Sequence, residues 1–277
     1  MKTRLSGLLP FFALGALAVA ASCSGTGKGN ATGNRLFTDS VSYVDSAKVG
    51  CSSTKVSITG LYPAGGPGCL VDSTRQWIAT QLCIAAGAND GQKLVDSYGS
   101  QLLDSFKNEL DDYAADGICI SSEYMAEFRP VYQTDSLTTY LFKNYQYEGG
   151  AHGISLASSR TFVNSSGIAL TADEIFLPES KNAVIAMVKD ALWSQYFKEI
   201  ADEWSRTFGE MLLINPDSLN YPTLPPYFMK DGITFTYQQY EIAPYAAGMP
   251  SCVLPYNAVR HLLRPAAAAL IPKGVEE

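Results

Sequence analysis

The 277-residue chain has only two histidines, His152 and His261, far apart in sequence. A zinc site built on three imidazoles is therefore excluded. No CxxC pair occurs, which removes the spacing of a thioredoxin-like redox site and of a zinc ribbon. Neither a G-x-S-x-G elbow, a Walker loop nor a GxGxxG is present, so nucleotide binding lacks its signature and so does the usual serine nucleophile. Basic residues are in the minority: 20 Lys and Arg stand against 27 Asp and Glu, for a net charge of −7. That balance argues against a nucleic-acid partner. Charged residues make up only 17% of the chain, whereas 47% are hydrophobic, enough to bury a core and too many for a disordered tail.

What is present begins with an address. Lys2 and Arg4 precede an apolar run from Leu8 to Ala21, interrupted by Pro10. The run is shorter than the roughly 20 residues that span a bilayer, and it ends in small residues, as a cleaved signal peptide does. Val19-Ala20-Ala21-Ser22-Cys23 resembles a bacterial lipobox, in which Cys23 becomes the lipidated first residue. The next eleven residues, SGTGKGNATGN, have the composition of a flexible tether. We therefore expect a signal peptide over 1–22, a lipid-anchored tether over 23–35, and a place in the bacterial cell envelope on the periplasmic side of a membrane. Removal of residues 1–22 takes away Lys2 and Arg4 and no acid, so the net charge falls from −7 to −9. Anionic surfaces would repel such a body. Of the five later cysteines, the four between Cys51 and Cys119 (with Cys69 and Cys83) are expected to pair, in one of three connectivities, and Cys252 to be a small buried hydrophobe.

Hydrophobic spacing gives the elements. Val41 and Tyr43, then Val56 and Ile58, alternate with polar residues and predict two strands between Arg35 and Leu61. The stretch Tyr62 to Gly68, with two prolines and three glycines, is expected to break regular structure before a helix around Val71, Ile78 and Leu82. Leu94, Tyr98, Leu102, Phe106, Leu110 and Tyr113 form one face of a second helix, stopped at Gly117. Aromatic residues from Tyr124 to Tyr147, then the segments up to Val163 and from Ile168 to Phe176, predict a meander of antiparallel strands. Val184, Val188, Leu192, Tyr196, Ile200 and Trp204, spaced by four, predict a long helix. Ile233, Phe235 and Tyr237 predict a strand, and Val253 and Leu254 start the last element. The sum is an α+β fold, an antiparallel sheet with packed helices in two sequential α+β subdomains, 36–128 and 129–277.

Two segments are too particular for generic core: Tyr145-Gln146-Tyr147-Glu148-Gly149-Gly150-Ala151-His152-Gly153, and Phe235 to Gly248 with its run Tyr240-Glu241-Ile242-Ala243-Pro244-Tyr245. Together with the weaker Leu170 to Phe176, they resemble the C-terminal domain of the RsiV anti-sigma factor family, an extracytoplasmic domain also found beside the deacetylase PdaC. The match covers roughly residues 130–265, and residues 36–125 resemble its usual partner domain more weakly. RsiV-like proteins carry a sigma-binding segment and a membrane span ahead of this region, and PdaC-like proteins add a metal-dependent deacetylase with Asp and His ligands. This chain has neither pattern. The resemblance implies an envelope module that binds a lysozyme-like protein or a peptidoglycan fragment, with no cofactor and no metal.

The ligand-binding candidates are Tyr147, Glu148, Gly149, Gly150, His152, Tyr240, Glu241 and Tyr245. His152 lies in a Gly-flanked turn, which suits close approach of a ligand and equally suits plain turn architecture. Tyr240, Glu241 and Tyr245 are expected on a strand or its bulge, and Glu241, if buried, needs a partner, for which His152 or a tyrosine hydroxyl would serve. A rival reading makes the protein a glycan hydrolase in which Glu148, His152 and Glu241 converge for acid–base chemistry.

Overall fold

The computed structural model describes residues 34–84 and 89–272. The expected signal segment, the lipidated Cys23 and most of the tether lie outside them. Strands β1 (Phe37–Val49) and β2 (Ser52–Gly65) form a hairpin whose tight turn places Gly50 at φ 60°, a conformation glycine adopts without cost. The break expected at Tyr62 to Gly68 comes later than the prolines suggest. Tyr62 and Pro63 still pair with Asp39 and Thr38, so β2 runs on to Gly65.

Helices α1 (Gly68–Gln81) and α2 (Gly91–Ala115) follow. Asp90 caps α2 by accepting the N–H groups of Gln92 and Lys93 at 3.1 Å each, and Gly117 at φ 68° follows its end. The two helices cross over to β3 (Ser121–Gln133), which lies parallel to β2; antiparallel β4 (Leu137–Tyr147), β5 (Ile154–Val163) and the short β6 (Ala169–Leu170) complete a six-stranded sheet in sequence order. The sheet expected to be antiparallel thus contains one parallel pair, because a parallel neighbour needs a long crossover and α1 with α2 supply it. The segment after β6 also departs from the expected strand. Thr171 and Glu174 form a capping box that starts the one-turn helix α3 (Ala172–Ile175).

The two faces of the sheet carry different loads. Val56 and Ile58 of β2, Tyr124 and Phe128 of β3, and Tyr140 and Phe142 of β4 are buried under Leu70, Ile78, Leu94 and Val95 of the helices. Part of the other face receives the C-terminal unit, a three-stranded antiparallel sheet of β7 (Tyr227–Met229), β8 (Gly232–Thr236) and β9 (Ser251–Leu254) with its own core. The seam is polar and buried: Thr139 Oγ1 donates to the Phe228 carbonyl at 2.8 Å, and the Phe228 N–H donates to Thr161 Oγ1 at 3.1 Å. The 128/129 division expected from the sequence falls inside β3, where Phe128 and Arg129 pair in succession with Phe142 and Leu141.

The long helix is three pieces: α4 (Lys181–Leu192), a π-helical turn Trp193–Phe197, and α5 (Lys198–Glu203). Val184, Val188 and Leu192 are buried as expected, but the buried positions then step by five to Phe197 and on to Ala201. The wide turn absorbs one extra residue and rotates the apolar stripe by about 100°. Trp204, expected on that stripe, is consequently 47% exposed.

A disulfide joins Cys51 in the β1–β2 turn to Cys119 before β3. Cys252 is a buried free thiol, as expected, whereas Cys83 is an exposed free thiol and does not join the pairing foreseen for it. At the outer edge of the sheet, the carboxamide of Gln92 on α2 accepts the Ser42 N–H at 3.2 Å and donates to the Ser42 carbonyl at 2.8 Å. It occupies the place a neighbouring strand would take on β1. Among the described residues, no helix is long and apolar enough to cross a membrane.

Candidate functional site

The Gly-rich turn joins β4 to β5. Tyr147, the last residue of β4, donates its hydroxyl to the Gly150 carbonyl at 3.0 Å and so closes the turn on itself. Gly149 and Gly150 sit at φ 88° and 97°; a Cβ on Gly150 would meet open space and one on Gly149 only an ordinary contact with Ile120 at 3.9 Å, so backbone conformation is what requires glycine there. Gly153 is needed for a different reason. A Cβ on it would stand 2.5 Å from the Tyr145 ring and 2.6 Å from the Gln146 carbonyl. His152 lies between, exposed to solvent, with Nδ1 3.1 Å from the Gly153 carbonyl oxygen.

The second segment is a loop, not the strand expected for it, because β8 ends at Thr236. Ile242 and Ala243 are buried and root the loop in the C-terminal core. After Pro244 the chain makes a single 3-10 turn, Tyr245–Ala247, left at Gly248 with φ 67°. This turn brings Tyr245 onto His152: the rings stack with centroids 3.9 Å apart and planes 19° from parallel. Tyr240 lies 5.9 Å from Tyr245, ring to ring, and is 48% exposed. Its φ of 65° is a left-handed conformation that a bulky side chain rarely adopts. His152, Tyr245 and Tyr240 thus form one aromatic ledge from two segments about ninety residues apart in the chain.

The two glutamates do not join it. The Glu241 carboxylate is engaged elsewhere: one oxygen accepts the Thr223 N–H at 2.6 Å and its hydroxyl at 2.7 Å, and the other accepts the Gln238 N–H at 2.7 Å. Its partners are therefore loop donors, and neither His152 nor a tyrosine hydroxyl as expected. Glu148 is exposed and accepts the side-chain amide of Gln146. Its charge faces α2, where Glu109 has its carboxyl pushed up, first by burial and then by the nearby charges of Glu148 and Asp112. Among the described residues His152 makes no hydrogen bond or ion pair with a carboxylate, so the acid–base triad of the hydrolase reading is not assembled. No three His, Cys, Asp or Glu side chains among those residues gather as metal ligands would. A shallow hollow of about 310 Å³, lined in part by Ser40, Thr59, Glu127 and Arg129, lies on β1 to β3, away from the ledge.

Gln238 and Gln239 received no role from the sequence, yet both reach across to β5. Two adjacent glutamines after a strand carry no spacing signal that would have marked them.

Residues 173–257 match a family model described as a protein of unknown function, DUF3298. That stretch holds Tyr240, Glu241 and Tyr245 and leaves out the Gly-rich turn with His152. Among solved structures, the chain is similar in fold to a member of the DUF3298 family from Bacteroides fragilis, at 24% identity and a TM-score of 0.65, over 83% of this chain and 94% of that one. It is also similar to a DUF3298 family protein from Pseudomonas aeruginosa, at 18% identity and a TM-score of 0.59, over 86% of this chain and 97% of that one. At such identities the likeness is one of fold, the mixed α+β architecture described above. No protein with a curated description matches the chain.

Proposed function

We propose that this protein is a non-catalytic binding module of the bacterial cell envelope, exported by its N-terminal segment, lipid-anchored through Cys23, and holding a partner protein on the ledge of His152, Tyr245 and Tyr240. The observation that carries the reading is the ledge itself, an exposed cluster of rings with Tyr240 held in a costly backbone conformation. Such strain persists only where the surroundings enforce it, and it concentrates at contact sites. Tyrosine supplies large, stiff, amphipathic contact area and is enriched at protein interfaces. The net charge of −9 left after removal of residues 1–22 favours encounter with a basic protein over an anionic surface, which supports a lysozyme-like hydrolase as the partner ahead of a peptidoglycan fragment. The disulfide between Cys51 and Cys119 suits an oxidising compartment and supports export.

The hydrolase reading fares worse, because both of its carboxylates are engaged away from His152. Calorimetric titration of residues 36–277 against lysozyme and, separately, against soluble peptidoglycan fragments tests the proposal. Saturable binding of lysozyme that weakens at least tenfold in His152→Ala or Tyr245→Ala, a loss of about 1.4 kcal/mol or more as expected for a ring at the centre of an interface, supports it. Binding of the fragments alone would replace the protein partner by glycan, and silence with both would reduce the ledge to loop architecture.

A further inference from the structure

We infer that Gln238 and Gln239 are positioning residues for the ledge: their side chains act as a surrogate strand on β5 and hold Tyr245 in register with His152. This rests on the ledge being the contact surface, although its test requires no ligand. On one side β5 pairs with β4, but on the other only Thr161 and Phe162 meet a strand, at Leu170 and Ala169 of β6. The rest of that edge turns alternate N–H and C=O groups outward without a strand to meet them. At Ala157 the demand is met twice by one side chain, since Gln238 Nε2 donates to the carbonyl at 2.7 Å and Gln238 Oε1 accepts the N–H at 3.1 Å. At Ser155 the Gln239 Oε1 accepts the N–H at 2.7 Å. A carboxamide carries the same donor and acceptor as a peptide unit, so the pair does the work of a short strand.

The consequence lies in what each end of this contact is tied to. His152 precedes Ser155 by three residues, and Tyr245 follows Gln239 by six, so the grip on Ser155 and Ala157 references both rings to one stretch of backbone. Within the loop, the carboxylate of Glu241 and the burial of Ile242 and Ala243 carry that reference toward Tyr245. One exposed ring stack is too weak to order two loops by itself.

The test uses the full chain in detergent micelles, labelled with ¹⁵N throughout for the backbone amides and with ¹³C at histidine, which gives two ring signals, from His152 and the exposed His261. Stacking on Tyr245 displaces the His152 ring protons upfield, and Tyr245→Ala calibrates the loss of that displacement. We expect Gln238→Ala with Gln239→Ala to move His152 to the Tyr245→Ala position while the amides of Thr161 and Phe228 at the sheet seam stay native. A His152 signal that remains at its native position would overturn the inference, because the buried Ile242 and Ala243, with the Leu213 N–H on the Ile242 carbonyl and the Tyr196 hydroxyl on the Ala247 carbonyl, would then suffice to hold the loop. Should the seam amides also move, Gln239→Ala alone decides, since it leaves both Gln238 bonds in place: a partial loss of the displacement supports the latch, and an unchanged signal overturns it. Failure of lysozyme or glycan to bind would leave this result standing, so the two readings fail separately.

Discussion

Two glycines one turn apart show how differently the same residue can be required. Gly149 needs its positive φ, whereas Gly153 needs the absence of a side chain, because the Tyr145 ring and the Gln146 carbonyl already fill the space. The carbonyl is backbone and cannot swing away as a side-chain tip can. Gly153→Ala is therefore expected to cost about 1–3 kcal/mol, as overpacking does, read as a lower urea midpoint at unchanged slope. At this scale the sequence marks segments by composition and does not assign roles within them. The segments containing His152 and Tyr245 stood out by composition, but nothing in one sequence says that rings ninety residues apart will stack. Glu241 was legible as a residue in need of partners; that these would be Thr223 and the backbone of Gln238 depends on loop geometry, which leaves no periodic trace.

Elements were legible where periodicity is long and unbroken. Helix α2 follows its apolar spacing as far as Leu110, with Tyr113 of the expected face exposed, while α4 obeys the spacing only up to Leu192. There a π-helical turn takes up a residue, and a count by fours then points at Trp204 instead of Phe197 and Ala201. In the segment Ile168 to Phe176 the two-residue strand has no period to read, whereas the helix start is written in the sequence as the capping-box pattern Thr171-x-x-Glu174, a signal that the strand reading passed over. The cap on α2 also sets a pH dependence. The N–H of Lys93, bonded to the Asp90 carboxylate, leads the causes that hold its pKa below the ordinary value. A depressed carboxylate contributes stability that is fully present above the unfolded-state value and lost as pH falls through the folded-state value. Amide exchange at Gln92 and Lys93 should therefore quicken, relative to the middle of α2, on acidification below the ordinary aspartate range. In Asp90→Asn, which still caps but does not titrate, that relative change should vanish.

On the scale of the whole molecule, the disulfide ties the turn between β1 and β2 to the start of β3, closing a loop with a sequence separation of 68 that contains both helices. Such a tie restricts the unfolded chain more than it tightens the folded one. Replacing Cys51 and Cys119 together by serine should lower stability by about 2–4 kcal/mol, seen as an earlier urea transition, with the helix content of the folded state retained. The fold class could be read from the sequence because strand and helix patterns alternate in blocks, but the parallel pairing of β2 with β3 and the docking of the second sheet on the first are choices made by tertiary contacts alone. One further property belongs to the molecule as an object that ages. Exposed strand edges in both sheets are met by glutamine carboxamides, Gln92 on β1, Gln238 on the part of β5 that β6 leaves uncovered, and Gln195 on β9, where it donates to the Val253 carbonyl at 3.0 Å and accepts its N–H at 2.9 Å; a carboxamide is among the thermolabile groups of a protein. Hydrolysis of Gln92 to glutamate would keep the acceptor for Ser42 N–H, delete the donor to its carbonyl, and set a new negative charge against Asp96, which the amide now contacts at 2.8 Å. The lifetime of the edge seals, and with it the resistance of old molecules to pairing strand to strand, is then a matter of chemical durability at a few side-chain amide bonds and not of folding free energy.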